Sequence, residues 1–310
     1  MTAEISWCKL SQSGVLRFDG LDVPSFLQGQ LTNNVQALDN EHSQYSGYCT
    51  PKGRLLATML LWQRDDAYCM MLPRERCEPL RKRLSMYILR AKVKAHDDSD
   101  AHALFGLNGA GAATMAAQFI GTVPSAIHAV AHGNGVSILK LPLNRYLIVA
   151  ALSEVGKIEA SLTAAAAVSC ETLWTQLDIE AGIPTIVAAT QEQFVPQTVN
   201  FDLIGAVSFD KGCYPGQEIV ARTHYLGKVK QRMIRASLRS NDAPAAGDKL
   251  YSEPYGDQAS GMIVNAVRTG TGTYEVLAVV QTSNVESANV HWQSPQGPAL
   301  KDIPLPYPVI

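Results

Sequence analysis

The chain has 310 residues, 46% of them hydrophobic and 17% charged, with a formal charge of -2 at pH 7. That length suits about two domains, and the composition excludes a disordered chain, which would carry fewer apolar residues and a larger net charge. The near-neutral balance gives no global signal for a nucleic-acid or membrane partner, so only local patches can serve such a role.

The longest apolar runs, Leu55 to Trp62 and Val136 to Ala151, are too short or too interrupted to span a bilayer. The first twenty residues carry Glu4 and Asp19 beside only Lys9 and Arg17, without the basic start and apolar stretch of a signal peptide. Cys8, Cys49, Cys69, Cys77, Cys170 and Cys213 are scattered and form no C-x-x-C pair. Neither a disulfide framework nor a zinc site is expected, and a reducing, cytoplasmic location fits.

Asp22 is placed to cap a helix with Pro24 in its first turn, and Phe26, Leu27 and Leu31 give that helix an apolar face. Tyr45–Cys49 and Leu55–Trp62 read as a hairpin around Thr50-Pro51-Lys52-Gly53. Cys77–Leu89 reads as a helix, with Leu80, Leu84 and Ile88 four residues apart. A strand at Ala103–Leu107 is followed by Gly109, Gly111 and an alanine-rich helix. A hairpin of Val136–Leu141 and Arg145–Ala150 comes next, then a helix over Ile158–Val168. This order indicates an α+β layer of the split βαβ kind.

Near residue 232 the character changes. Met233–Leu238, Gly261–Val267, Tyr274–Gln281 and Val290–Trp292 are short strands separated by turn residues at Asn241–Gly247 and Thr269–Gly272. They indicate a small C-terminal β-barrel or sandwich, with a boundary at about residue 232.

One segment stands apart: Asp210-Lys-Gly-Cys-Tyr-Pro-Gly-Gln-Glu-Ile-Val-Ala-Arg222. Gly212, Pro215 and Gly216 make a tight turn that carries Cys213 and Tyr214, and Gln217 and Glu218 open a helix. Lys211 and Arg222 are cations that would stabilise a Cys213 thiolate and make it reactive. The same spacing also suits an unreactive cysteine buried under a turn. His224 either assists Cys213 or is a partly buried polar residue.

K-G-C-Y-x-G-Q-E resembles the signature of the YgfZ family, folate-binding proteins of iron–sulfur cluster maintenance and tRNA modification. Other family-like pieces follow in order: Gln28-Gly29-Gln30-Leu31-Thr32-Asn33, Cys49-Thr50-Pro51-Lys52-Gly53, Ile179-Glu180-Ala181-Gly182-Ile183-Pro184, Pro196-Gln197 with Asn200, and Pro304-Leu305-Pro306-Tyr307. The resemblance covers nearly the whole chain. It implies the fold of the glycine-cleavage aminomethyltransferase: an α+β ring of three subdomains around a central folate cavity. Residues 1–232 would form two interleaved folate-binding subdomains, and 233–310 the barrel.

The resemblance also implies tetrahydrofolate or a derivative as ligand. A folate site needs a carboxylate for the pterin edge, an aromatic surface and a cation for the tail. Glu180, in Leu177-x-x-Glu-Ala-Gly, matches the pterin-anchoring Glu of the aminomethyltransferases, and Trp174 matches a Trp associated with folate binding. Tyr214, Gln217, Glu218, Gln30 and Asn33 join the site on the same grounds, with Cys213, Lys211 and Arg222 as the chemically active group. A second folate-associated Trp of the family aligns with Ser13. The catalytic Asp pair of the aminomethyltransferases aligns with Ala57 and Thr58, so methylene transfer by their route is not expected. Asp65 and Asp66 fall at the far end of the hairpin.

Three functions remain open: a folate-binding protein serving iron–sulfur proteins or their assembly machinery, a folate-dependent one-carbon transferase, and a tRNA-binding module. For the last, Arg74, Arg76, Arg81, Lys82, Arg83, Arg90, Lys92 and Lys94 form a basic stretch, which Lys228, Lys230, Arg232 and Arg235 could extend. The preferred reading of that stretch is a solvated helix face. Gly106, Gly109 and Gly111 lack the spacing of a dinucleotide loop.

Overall fold

The structure is a computed structural model that describes residues 5–225, 227, 229–284 and 289–309. Lys228 lies outside the described residues. The chain divides into two compact units. The first holds Met1–Gln30, Asn34–Ser46 and Met59–Trp174; the second holds Leu31–Asn33, Gly47–Thr58 and Thr175–Ile310.

In chain order the elements begin with β1 (Ser6–Lys9), β2 (Ser13–Asp19), α1 (Val23–Gln28), β3 (Ser43–Cys49), β4 (Leu55–Arg64), β5 (Ala67–Pro73), α2 (Arg74–Ser85) and β6 (Lys94–Asp97). There follow β7 (His102–Asn108), α3 (Ala112–Ile120), β8 (Val130–Gly133), β9 (Val136–Leu141), β10 (Arg145–Ala151), α4 (Leu152–Ala165), β11 (Ala167–Val168) and α5 (Glu171–Glu180). The last stretch holds α6 (Gln217–Tyr225), β12 (Gln231–Arg239), β13 (Lys249–Ser252), β14 (Gly261–Gly270), β15 (Thr273–Gln281), β16 (Val290–Trp292) and β17 (Leu300–Ile303).

The first unit is layered. Its main sheet has the order β11-β1-β7-β10-β9-β8. Both β9 and β10 are buried over almost their whole length, because both faces of the sheet are covered. On one face Phe105, Leu107, Ile138 and Ile148 pack against Met115 and Ala116 of α3 and Ile158 and Leu162 of α4. On the other, Leu104, Leu139, Leu147 and Val149 meet Val15, Leu60, Trp62 and Cys69 of a second sheet, ordered β3-β4-β5-β2-β6. Trp174 belongs to this inner layer.

The second unit carries an antiparallel sheet of order β16-β13-β14-β15-β12-β17 around Ile234, Leu250, Ile263, Val276 and Trp292. His291 of β16 bridges Ala299, just before β17, so the two ends of the sheet meet and close a barrel.

Several boundaries move for physical reasons. Asp22 does not cap α1 through its side chain; its Oδ2 accepts the Lys92 N–H at 2.7 Å. Helix α1 ends at Gln28, and Leu31 instead bridges Tyr48. Helix α2 starts at Arg74 and stops at Ser85, and the turn after it places Leu89 at φ +46°, so Ile88 does not extend its face. Helix α4 runs from Leu152 to Ala165, while Ala167 and Val168 pair in parallel with β1. Asp65 and Asp66 form the tight turn between β4 and β5.

Candidate functional site

The sequence motifs converge on the loop before α6. Gly216 has φ +83°, and a Cβ there would overlap the Thr50 carbonyl and the backbone of Gly53. Gly53, at φ +69°, in turn lies against Gly216 and Ile219. The turn of the β3–β4 hairpin and the turn carrying Cys213 are thus in backbone contact, which only glycine permits. Lys211 Nζ donates to the Leu31 carbonyl at 2.5 Å, bringing in a third motif. Asn33 Nδ2 donates to Gly205 O at 2.8 Å, and Thr32 Oγ1 donates to Ala206 O at 2.8 Å. Gln197 Nε2 donates to Val220 O at 2.6 Å, and Asn200 exchanges hydrogen bonds with Met233. Elsewhere in the second unit the ending meets another motif: Tyr307 donates to the carbonyl of Gly182, itself at φ +66°.

Within this frame Cys213 is an exposed free thiol, not a cysteine buried under the turn. Tyr214 is buried, and burial, with Cys49 second, pushes its phenol upward. Lys211 Nζ lies 4.9 Å from the Tyr214 ring centroid. Burial lowers the Lys211 ammonium from 10.5 to about 8, with Cys213 acting in the opposite sense. Gln217 is half-buried at the start of α6, Glu218 is exposed in its first turn, and Arg222 is exposed in its last. His224 stacks on Phe209, with centroids 3.7 Å apart and planes 13° apart.

Helix α5 carries Trp174 and Glu180, and the division between the units falls just after Trp174. Trp174 is 5% exposed. Its indole packs on Gly106, where a Cβ would overlap the ring, and the Arg145 guanidinium lies 4.7 Å from the ring centroid. That packing is why a glycine stands in the middle of β7. Glu171 fastens the start of the helix by accepting the backbone N–H groups of Ser11 and Gln12.

Glu180 closes α5 with its side chain about a quarter exposed. Its Oε1 accepts Gln176 Nε2 at 2.9 Å and lies 3.6 Å from Arg235, which also binds Glu275 at 2.6 Å. Both contacts fall on Oε1; among the described residues none falls on Oε2. In the first unit, the buried Gln30 Oε1 has no hydrogen-bond partner among the described residues.

Ala57 is fully buried, and the Thr58 hydroxyl accepts the Ile186 N–H at 3.0 Å. In the basic stretch, Arg74 pairs with Asp100, and Arg81 and Lys82 share Glu78, whose carboxyl they hold down at about 2. Arg90, Lys92 and Lys94 are exposed. Arg232 and Arg235 do not extend that stretch as free cations. Arg232 is buried in a fork with Asp202 at 2.7 and 3.0 Å, and Arg235 is held by Glu275 and Glu180.

Two features escaped the sequence reading. Phe209 and Tyr225 join His224 in an exposed ring cluster, and aromatics flanking the signature by a few residues were the available signal. Cys170, just before α5, is a second exposed thiol, lowered by the Leu173 N–H of the first helical turn.

The fold defines the class. The structure resembles the glycine-cleavage aminomethyltransferase T of Bartonella henselae, with a TM-score of 0.78, 14% identity, and coverage of 97% of this chain and 85% of the other. No protein-family model matches the chain. Sequence relatives settle the family. The tRNA-modifying protein YgfZ of Sodalis glossinidius is 30% identical over 304 residues, covering 97% of this chain and 92% of the relative. The protein of that name from Yersinia pestis is 30% identical over 302 residues, covering 96% and 91%. The chain belongs to the YgfZ family, on an aminomethyltransferase-like fold. No helix among the described residues is long and apolar enough to cross a membrane.

Proposed function

We propose that this chain binds tetrahydrofolate or a derivative and supports iron–sulfur cluster assembly or repair, and thereby tRNA modification, with Cys213 as its key side chain. The observation that carries the reading is an exposed thiol on a loop that is otherwise fastened from several sides. A cysteine kept for packing is buried; the four buried ones here, Cys8, Cys49, Cys69 and Cys77, are of that kind. Lys211, half-buried two residues away, places an ammonium group in the same turn. The tRNA-modifying relatives support tRNA as the eventual target.

For folate, Glu180 supplies the pterin anchor. Gln176 and Arg235 orient the carboxylate through Oε1, leaving Oε2 as an acceptor for ring N–H groups. Trp174, with its ring packed on Gly106, acts in this reading by seating α5. Asn33, Tyr214, Gln217 and Glu218 shape the loop region. One-carbon transfer by the aminomethyltransferase route is not part of the reading, since Ala57 has no ionisable group and the Thr58 hydroxyl is engaged.

Anaerobic titration with tetrahydrofolate, followed by calorimetry, tests the ligand. Saturable binding that weakens in Glu180→Gln supports it, and a wild type that binds no folate overturns it. Cys213→Ser should keep folate affinity yet lose tRNA modification in cells. Retained modification would remove Cys213 from its role.

A further inference from the structure

We infer that the surface beside Cys213 takes an unpaired nucleobase of single-stranded RNA, stacked on the exposed rings of His224 and Tyr225, with Phe209 stacked against His224. This rests on the reading of tRNA as target and deepens it by naming what is recognised. The Phe209 and His224 rings are nearly parallel at 3.7 Å, and Tyr225 stands edge-on to His224 at 4.8 Å and 80°. Tyr225 is 63% exposed, His224 is exposed and Phe209 is half-buried. Large rings left in water on one side of a fastened loop are unusual unless a partner covers them.

The surrounding charges choose the partner. Arg222 lies one helical turn before Tyr225 on the same side of α6, and Lys230 is exposed beyond it. Asp210 and Glu218 are also exposed nearby. With two acids among the cations, this surface is too mixed to hold a duplex by its phosphates, where basic contacts supply the affinity. For a single strand, base stacking adds to the phosphate contacts, because every unpaired base offers a ring, and Arg222 and Lys230 are the cations open to the adjoining phosphates. Phe209 and Cys213 are four residues apart, so their Cα atoms lie within about 14 Å. The thiol is therefore close to the nucleotides that flank a stacked base.

Fluorescence anisotropy of the full chain with a labelled single-stranded oligoribonucleotide, a duplex RNA stem and bulk tRNA tests this. The single strand and tRNA should bind, the duplex much less. The double variant His224→Ala/Tyr225→Ala should lose about ten-fold or more in affinity, while Tyr225→Phe keeps it. Folate binding unchanged in each variant would show that the fold is intact. Equal binding by the double variant, or a preference for duplex, overturns the inference. If Arg90→Glu/Lys92→Glu abolishes tRNA binding while the ring variant does not, tRNA remains the target and only this surface is wrong. A wild type that binds no RNA ends both the inference and direct tRNA contact, leaving folate to its own titration. If RNA binding is unchanged but the ring variant loses tRNA modification in cells, the rings serve a protein partner and the inference falls.

Discussion

Trp174 and Cys213 are the two residues that most clearly mark this family resemblance, and the structure treats them in opposite ways. Trp174 is 5% exposed in an inner layer between two sheets, fitted to a strand that gives up a side chain at Gly106. Cys213 is exposed on a turn whose backbone is pressed against another turn through Gly216 and Gly53. One region is rigid because its side chain is enclosed, the other because its backbone is. The enclosed residue should therefore matter to stability, and the exposed one to chemistry.

The comparison breaks most sharply at Trp174. Trp174→Ala should cost about 3–5 kcal/mol of unfolding free energy, while Cys213→Ser should stay within about 0.5 kcal/mol of wild type. Urea midpoints decide it; a near-neutral Trp174→Ala would mean that the indole is not part of the core. The backbone counterpart is Gly216→Ala. The left-handed conformation alone costs a residue with a Cβ about 1–2 kcal/mol, and overlap with Thr50 O brings the loss to about 2–4 kcal/mol. The same variant should change the alkylation rate of Cys213. An unchanged rate would show that the turn does not hold the thiol in place.

Much of this was legible in the sequence where the signal is local. Thr50-Pro-Lys-Gly53 gives the hairpin turn, with Gly53 N–H donating to Thr50 O at 2.9 Å, and the strand runs of β9, β10, β12, β14, β15 and β16 carry their own apolar patterns. Short strands such as β1, β6 and β13 were not legible, since four residues hold too little pattern and exist through their partners. The same holds for the site. Turn chemistry marked the Cys213 loop, but the burial of Trp174 depends on Gly106, 68 positions earlier, and no spacing rule links the two. Likewise Arg232 and Arg235 read as free cations until Asp202 and Glu275 arrive from distant segments.

Glu180 tests the comparison from the ligand side, as a partly exposed residue on the same helix as the enclosed Trp174. Glu180→Gln keeps the shape and removes the charge. Loss of a charge-assisted hydrogen bond is worth about 1.5–3 kcal/mol, so tetrahydrofolate affinity should fall roughly ten- to a hundred-fold, as read by calorimetry. Stability should move little, because Arg235 keeps Glu275 at 2.6 Å. A variant that binds folate like wild type would take the pterin anchor away from Glu180.

The smallest effect probes how well the Cys213 loop is sealed. Lys211 is held at about 8 in the folded chain, against 10.5 for the free side chain, mainly by burial. Below about pH 8 both the folded and the unfolded chain carry the proton, and the fold bears the cost of a half-buried ammonium. Between about 8 and 10.5 the unfolded chain binds more protons than the folded one, so unfolding free energy gains a rising contribution with pH. Lys211→Met has no proton to release and should lack that rise. Urea midpoints of the two chains, compared near the bottom and top of this window, measure the difference. Partial solvent contact keeps it small. The comparison is best made in a Cys213→Ser background, because a thiolate there favours the charged lysine and works against the trend. Parallel profiles for the two chains would mean that Lys211 is fully hydrated. The loop would then be open on the Lys211 side as well as at the thiol, and the contrast with the enclosed Trp174 would be sharper still.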